Sequence, residues 1–199
     1  LLLFLDDDML IFEENIQSTL SLHSKNSKCF INLNWTYPPE LYEKLSKSNF
    51  GRYLVKHGFD SLKGWNKNST WSDTELFKVK GLTSQYLSVK KVDFEASGGY
   101  NEGFPFAGYE DLAFAEKINE KGFSIFIYPL SIVYHNETDR CELLPWLNRK
   151  TRGGVTIRTA NELGYKQTLI HYSVAKKFIY GWLLRFKKLW FLCYHAIPD

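Results

Sequence analysis

The sequence predicts an α/β fold, and three observations carry that expectation. Short apolar runs at Leu1–Leu5, Cys29–Leu33 and Ser124–Tyr128 have the length of buried strands. Stretches with helical spacing lie between them, at Phe12–His23, Glu40–Leu45, Lys90–Ala96 and Tyr109–Lys121. Glycines and prolines stand where such elements have to stop. Helices alternating with apolar strands imply layers packed on a sheet.

Taken in order, Leu1–Leu5 reads as a strand buried on both faces that delivers Asp6, Asp7 and Asp8 at its carboxyl end. Phe12–His23 places Ile16 and Leu20 on the apolar side of a helix. Pro38 and Pro39 suit the first turn of the next helix. Asn49–Thr74 is rich in Gly, Asn, Ser, Lys and Trp and reads as irregular, and long irregular segments are usually functional or mobile. Regularity returns at Leu82–Val89, and the short helix after it is stopped by Gly98 and Gly99. Gly122 ends the helix from Tyr109, Pro129 breaks the strand from Ser124, and a further short strand spans Ile132–His135.

At 199 residues the chain is one domain or a large piece of one. Its composition, 44% hydrophobic and 24% charged, supplies a core and a solvated surface, which excludes disorder and fibrous classes. No apolar run approaches the ~20 residues of a membrane span, and LLLFL is too short for a signal peptide. Cys29, Cys141 and Cys193 are widely spaced and form no CxxC, so a reducing, cytoplasmic compartment is expected. The net charge of +3 is uneven: residues 163–198 hold six cations and no acid, leaving the rest at −3. An acidic main body argues against nucleic-acid binding, which needs clustered Lys and Arg.

Two constellations carry candidate chemistry. Three consecutive carboxylates after an apolar strand repel one another unless a cation neutralises them. A hard divalent metal, Mg²⁺ or Mn²⁺, bridging to a phosphate-bearing ligand resolves this economically. His135, at the end of IVYH, can converge on the same strand-end face as Asp8, and neutral imidazole is a competent ligand for Mn²⁺. The second constellation is GGYNEGFPFAGYED, residues 98–111. Glu110 and Asp111 fall in a first helical turn, where the dipole is expected to lower carboxyl pKa values. The aromatic, glycine-rich approach suits a flat, hydroxyl-rich ligand that stacks on ring faces.

LLFLDDDM, SVKKVDFEASGGYNEGFPFAGYEDLAFAEKINEKGFSIFIYPLSIVYH and WLNRKTRGG, in that order, resemble the second half of a family 2 glycosyltransferase with the GT-A fold. The resemblance covers about residues 1–154 and makes them the C-terminal part of a catalytic domain, with residues 155–199 a helical basic tail. It implies transfer of a sugar from a nucleotide-diphosphate sugar to a glycan or lipid-linked acceptor hydroxyl, metal-dependent and inverting, in cell-surface or secreted polysaccharide synthesis. Carried over residue by residue, Asp6 and Asp8 match the DxD pair, with Asp8 nearer the metal, Asp6 nearer the ribose and Asp7 beside them. Asp111 matches the catalytic base with Glu110 next to it, Gly98 and Gly99 match the turn lining the donor and acceptor pocket, and His135 matches a metal or diphosphate contact. The chain departs from the family's ED-x-D-L-x-x-R with Ala113 and Lys117, and its Asn-x-Ser is replaced by Tyr86-Leu87-Ser88. Complete members carry about a hundred residues of nucleotide-binding βαβ structure before the DxD strand, parallel strands needing crossovers of a dozen or more residues. The resemblance therefore implies a chain that starts part-way through its catalytic domain.

Around residues 170–193, Val174, Phe178, Ile179, Trp182, Leu183, Phe186, Leu189, Trp190 and Cys193 share one half of a helical wheel, opposite Lys176, Lys177, Lys187 and Lys188. Two readings stay open: a helix lying on the anionic inner face of the cell membrane, or one packing on protein. A haloacid-dehalogenase-like phosphatase is disfavoured by Leu10, where Thr or Val is required, and by the lack of a later acidic pair after a strand. A metal-dependent nucleotidyltransferase and an inactive glycan-binding scaffold remain as alternatives.

Overall fold

The structure is a computed structural model that describes residues 1–66, 70–138, 141–165 and 173–186. Those residues form an α/β fold with a mixed sheet. Its strands are β1 (Leu2–Leu5), β2 (Met9–Leu10), β3 (Cys29–Thr36), β4 (Phe77–Val79), β5 (Tyr86–Val89) and β6 (Ser124–His135). The helices are α1 (Glu13–Lys25), α2 (Pro39–Ser46), α3 (Asn49–Lys56), α4 (Leu62–Trp65), α5 (Lys91–Ser97), α6 (Glu110–Glu120), α7 (Leu143–Glu162) and α8 (Val174–Arg185).

The strand order is β1-β5-β3-β6-β2, with β4 also pairing β6. β3 and β6 are parallel, and every other pair is antiparallel. Because β1 and β3 both oppose β5, the strands β1, β3 and β6 point the same way and share a carboxyl end. β1 and β2 stand at opposite ends of the order, yet only Asp6, Asp7 and Asp8 separate them. The acidic segment is thereby carried over the carboxyl end of the sheet. It is closed as a turn by Met9 N donating to Asp6 O at 3.2 Å.

Period-two alternation sorts the side chains of β3 into two cores. Leu33 and Trp35 join Leu41, Leu45, Leu54 and Leu62 of the α2–α4 layer. Phe30 joins Phe114 and Ile118 of α6, with edge-to-face contacts to Phe114 at 5.5 Å and Phe123 at 5.7 Å.

Several expectations are corrected. β1 pairs with β5 alone, so its residues are half-buried and Leu5 is exposed, although Leu3 reaches one core and Leu2 and Phe4 the other. On α1 the buried stripe is Asn15, Thr19 and His23, while Leu20 is 49% exposed. The sheet beneath it is polar, which decides the face. Asn15 Nδ2 donates to Ser131 Oγ at 2.9 Å and Ile132 O at 3.0 Å. The Thr19 and Tyr86 hydroxyls pair at 2.8 Å, and His23 Nε2 meets Ser88 Oγ at 3.0 Å. An apolar helix face there would leave those groups buried and unpaired.

The stretch read as irregular holds α3 and α4, capped by Ser48 accepting from Gly51 N at 2.9 Å and Ser61 accepting from Gly64 N at 3.0 Å. Gly51 and Gly64 mark close backbone contacts within helices rather than loops. A Cβ on Gly51 would collide with the Leu45 backbone, and one on Gly64 with Gly58. Only Tyr86–Val89 of the expected 82–89 segment is strand. β6 runs on through Pro129 because a bulge removes Pro129, Leu130 and Ser131 from the ladder: Tyr128 pairs Leu33 and Ile132 pairs Asn34. Proline lacks an N–H to donate, and a bulge asks for none.

WLNRKTRGG lies within α7, which continues through residues 154 and 155. Of the tail, α8 leaves Phe178 77%, Leu184 69% and Trp182 49% exposed. Lys187, Lys188, Leu189, Trp190 and Cys193 lie outside the described residues. No helix among the described residues is long and apolar enough to cross a membrane.

Asn15→Ala is expected to destabilise the protein by about 2–3 kcal/mol, because it strands Ser131 and the Phe12 N–H that Asn15 Oδ1 accepts. Leu20→Ala is expected to change stability by less than about 0.5 kcal/mol. Urea unfolding of the two variants checks both, and the reverse ranking would reject the polar stripe.

Candidate functional site

Backbone pairing assembles the first cluster. Register between β2 and β6 sets Met9 opposite His135, and Asn136 N donates to Asp8 O at 2.9 Å. Asp8 is thus delivered beside the imidazole, with 3.0 Å between Asp8 Oδ1 and His135 Nε2. Asp6 completes the group: one ligand atom from each of Asp6, Asp8 and His135 lies within 4.8 Å of the others. Asp6 and Asp8 are half-buried and His135 is 0% exposed. Asp7 is exposed at the tip of the turn and stands outside the group.

The second centre is built on the first turn of α6. Asp111 Oδ2 accepts from Ser84 N at 3.0 Å and Ser84 Oγ at 3.3 Å, and Oδ1 accepts from the Tyr100 hydroxyl at 3.1 Å. Burial raises its pKa to about 6, with the neighbouring Glu110 charge adding to the rise and the Ser84 N–H opposing it. The dipole alone would have lowered it, so desolvation outweighs the helix terminus. The Tyr100 hydroxyl is held far above its usual range by burial and by the adjacent Asp111 carboxylate. Glu110 accepts from Gly108 N at 2.5 Å and lines an open concavity of about 330 Å³ with Tyr100, Phe104 and Phe106.

Short connections link the two centres. Asp6 N donates to Gln85 O at 3.4 Å, and the preceding residue, Ser84, holds Asp111. Asp6 also contributes to the field that raises the Tyr100 pKa. No family model matches this chain, and no curated protein matches it.

Gly98 and Gly99 have φ of 79° and 59°, which glycine adopts without strain, and they turn the chain from α5 toward Tyr100. They do not line the concavity. Both carbonyls accept from Lys117 Nζ at 2.8 Å, so this lysine clamps the turn.

Three site residues escaped sequence reasoning. Ser84 had no signal, since its role depends on α6 approaching from 27 positions away. Glu137 and Tyr37 form a buried pair at the far side of His135, with Tyr37 OH donating to Glu137 Oε2 at 2.8 Å. Alternation in H-N-E would have placed Glu137 on the side of the chain that carries His135.

The Asp111 shift carries a sign. A carboxyl whose pKa is raised by folding favours the folded state while protonated, and that contribution is lost as pH rises from about 4 through about 6. Asp111→Asn is therefore expected to be more stable than the parent at pH 7, by on the order of 1–2 kcal/mol, with the gap closing at pH 4. Thermal or urea melts across that range check it, and a gap independent of pH would reject the assignment.

Proposed function

We propose that this chain is the catalytic part of a metal-dependent glycosyltransferase of the family 2, GT-A kind. It would move a sugar from a nucleotide-diphosphate sugar to an acceptor hydroxyl with inversion. One observation carries the reading: a carboxylate–carboxylate–imidazole cluster and a buried carboxylate of raised pKa converge on the carboxyl end of one sheet. In open α/β sheets that end is where ligands bind.

The donor set of Asp6, Asp8 and His135 fits a divalent cation, and its imidazole favours Mn²⁺ over Mg²⁺, which prefers oxygen alone. Bound there, the cation would neutralise the departing diphosphate. Asp111 would accept the proton of the acceptor hydroxyl. That oxygen forms a bond to the anomeric carbon as the bond from this carbon to the diphosphate breaks, the electron pair leaving with the nucleoside diphosphate. A base of pKa about 6 is ionised at neutral pH yet still basic enough to take the proton. Tyr100 and Ser84 hold the carboxylate in place, and Phe104 and Phe106 offer faces on which an acceptor sugar stacks. Lys176, Lys177 and Arg185, interleaved with exposed Phe178 and Trp182, would bring the protein to the anionic inner face of a membrane, where lipid-linked acceptors lie.

Mn²⁺ with a nucleoside diphosphate is expected to raise the Tm of the full chain, and Asp8→Ala to remove the metal-dependent part. Asp111→Asn is expected to cut transfer by about 10²-fold or more while keeping that stabilisation. Equal stabilisation of the Asp8→Ala variant would reject the metal site, and transfer within a few-fold of the parent would reject Asp111 as base. Release of pyrophosphate in place of nucleoside diphosphate would identify nucleotidyl transfer instead.

The tail is tested separately with anionic vesicles at low salt. Co-sedimentation is expected, together with a blue shift of tryptophan fluorescence, and replacement of Lys176, Lys177, Lys187 and Lys188 by glutamine should abolish both. Failure to co-sediment, with tryptophans already blue-shifted before lipid is added, would leave a protein-packing helix.

A further inference from the structure

We infer that Glu137 is a positioning residue for His135, selecting the imidazole tautomer whose Nε2 is bare toward Asp6 and Asp8. The inference rests on the metal reading of that cluster. His135 is fully buried, and its ring is fenced edge-on by Trp35 at 5.1 Å and Tyr37 at 6.1 Å, so it cannot turn over freely. A carboxylate faces each nitrogen: Asp8 Oδ1 lies 3.0 Å from Nε2, and Glu137 Oε2 lies 3.9 Å from Nδ1.

A neutral imidazole carries one N–H, and its position decides what the ring can do. With hydrogen on Nε2 the ring points a donor at Asp8 and has no lone pair for a cation. With hydrogen on Nδ1 it points toward Glu137, and Nε2 presents its lone pair to the two aspartates. Asp8 pulls the hydrogen one way and Glu137 the other. At 3.9 Å the Glu137 contact is too long for a hydrogen bond, so the carboxylate acts through its charge, which is weakly screened in a buried site.

Its placement there is built rather than incidental. Glu137 is 3% exposed, and its Oε2 accepts from the Tyr37 hydroxyl at 2.8 Å. Oε1 is paired with the Arg149 guanidinium from α7, and Cys141 Sγ donates to the Glu137 backbone oxygen at 3.1 Å. Those contacts fix the carboxylate on the Nδ1 side, as a carboxylate behind a metal-binding histidine commonly is.

Glu137→Gln tests this in the full chain. The amide keeps the shape, but the Arg149 guanidinium claims its one oxygen at the Oε1 position, so its NH₂ takes the Oε2 position toward Nδ1, donates to the Tyr37 hydroxyl and favours the opposite tautomer. Imidazole ¹⁵N NMR, on the apo protein and with diamagnetic Zn²⁺, should show the His135 tautomer ratio moving toward Nε2–H in the variant. Calorimetry with Mn²⁺ alone should show affinity falling by about 10–100-fold, with Glu137→Asp recovering part of the loss. An unchanged tautomer ratio, with Mn²⁺ affinity within about twofold of the parent, would overturn the inference. If the parent binds neither cation while the apo tautomer still shifts, the metal reading fails and the positioning role stands. Should Glu137→Gln not fold, Tyr37→Phe, which frees one side of the carboxylate, should shift the same tautomer ratio to a smaller extent, and no shift there would overturn the inference.

Discussion

The parallel pairing of β3 with β6 is the frame from which the Asp6, Asp8 and His135 cluster is hung. Phe30, Ile31, Leu33 and Trp35 are fully buried along one strand, and Ile125 and Val133 along the other, so neither strand can slip without moving apolar side chains out of both cores. Tyr37 leaves the end of β3 as His135 leaves the end of β6, and their rings lie 6.1 Å apart. β5 hangs on the other side of β3 and carries β1 with it, which brings Asp6 to the same end. The bulge at Pro129–Ser131 lets a twelve-residue strand stay in register with an eight-residue partner at both ends.

Polar burial is the second theme of the architecture. α1 docks through hydroxyl, amide and imidazole groups, and Asn32 Nδ2 donates to Thr83 O and Tyr86 O at 2.7 and 2.6 Å in the middle of the sheet. Hydrogen bonds of this kind add little net stability when made but penalise their loss, so they specify one arrangement against its neighbours. Asp111 shows the same balance with charge. Its environment makes the carboxylate harder to ionise, and three donor contacts keep the ionised form within reach.

What could be read from the sequence was whatever depends on neighbours along the chain. An apolar run ending in Asp6–Asp8, a glycine pair after a short helix and an acidic pair opening another are local patterns, and the elements that carry them lie where their spacing puts them. The docking face of α1 was illegible because it depends on Ser131, Tyr86 and Ser88, which come from other strands. Glycines of the 49–74 stretch look alike whether they loosen a loop or let two backbones touch, and only the approach of Leu45 to Gly51 distinguishes the cases. The partners of Asp111 and His135 were hidden for the same reason: Ser84 meets Asp111 and Tyr37 meets His135 through the fold, across separations that no short motif spans.

The buried polar stripe of α1 has a mechanical consequence for the acidic turn. A greasy helix face tolerates sliding and rolling, whereas hydrogen bonds from Asn15, Thr19 and His23 admit one azimuth and one axial setting. Asn15 further ties the chain just before the helix, through the Phe12 N–H, to the β6 bulge. The stretch from β1 to α1 is thus pinned at both ends. Asp6 and Asp8, two residues apart in a turn closed by a hydrogen bond, are therefore held near one another despite their mutual repulsion.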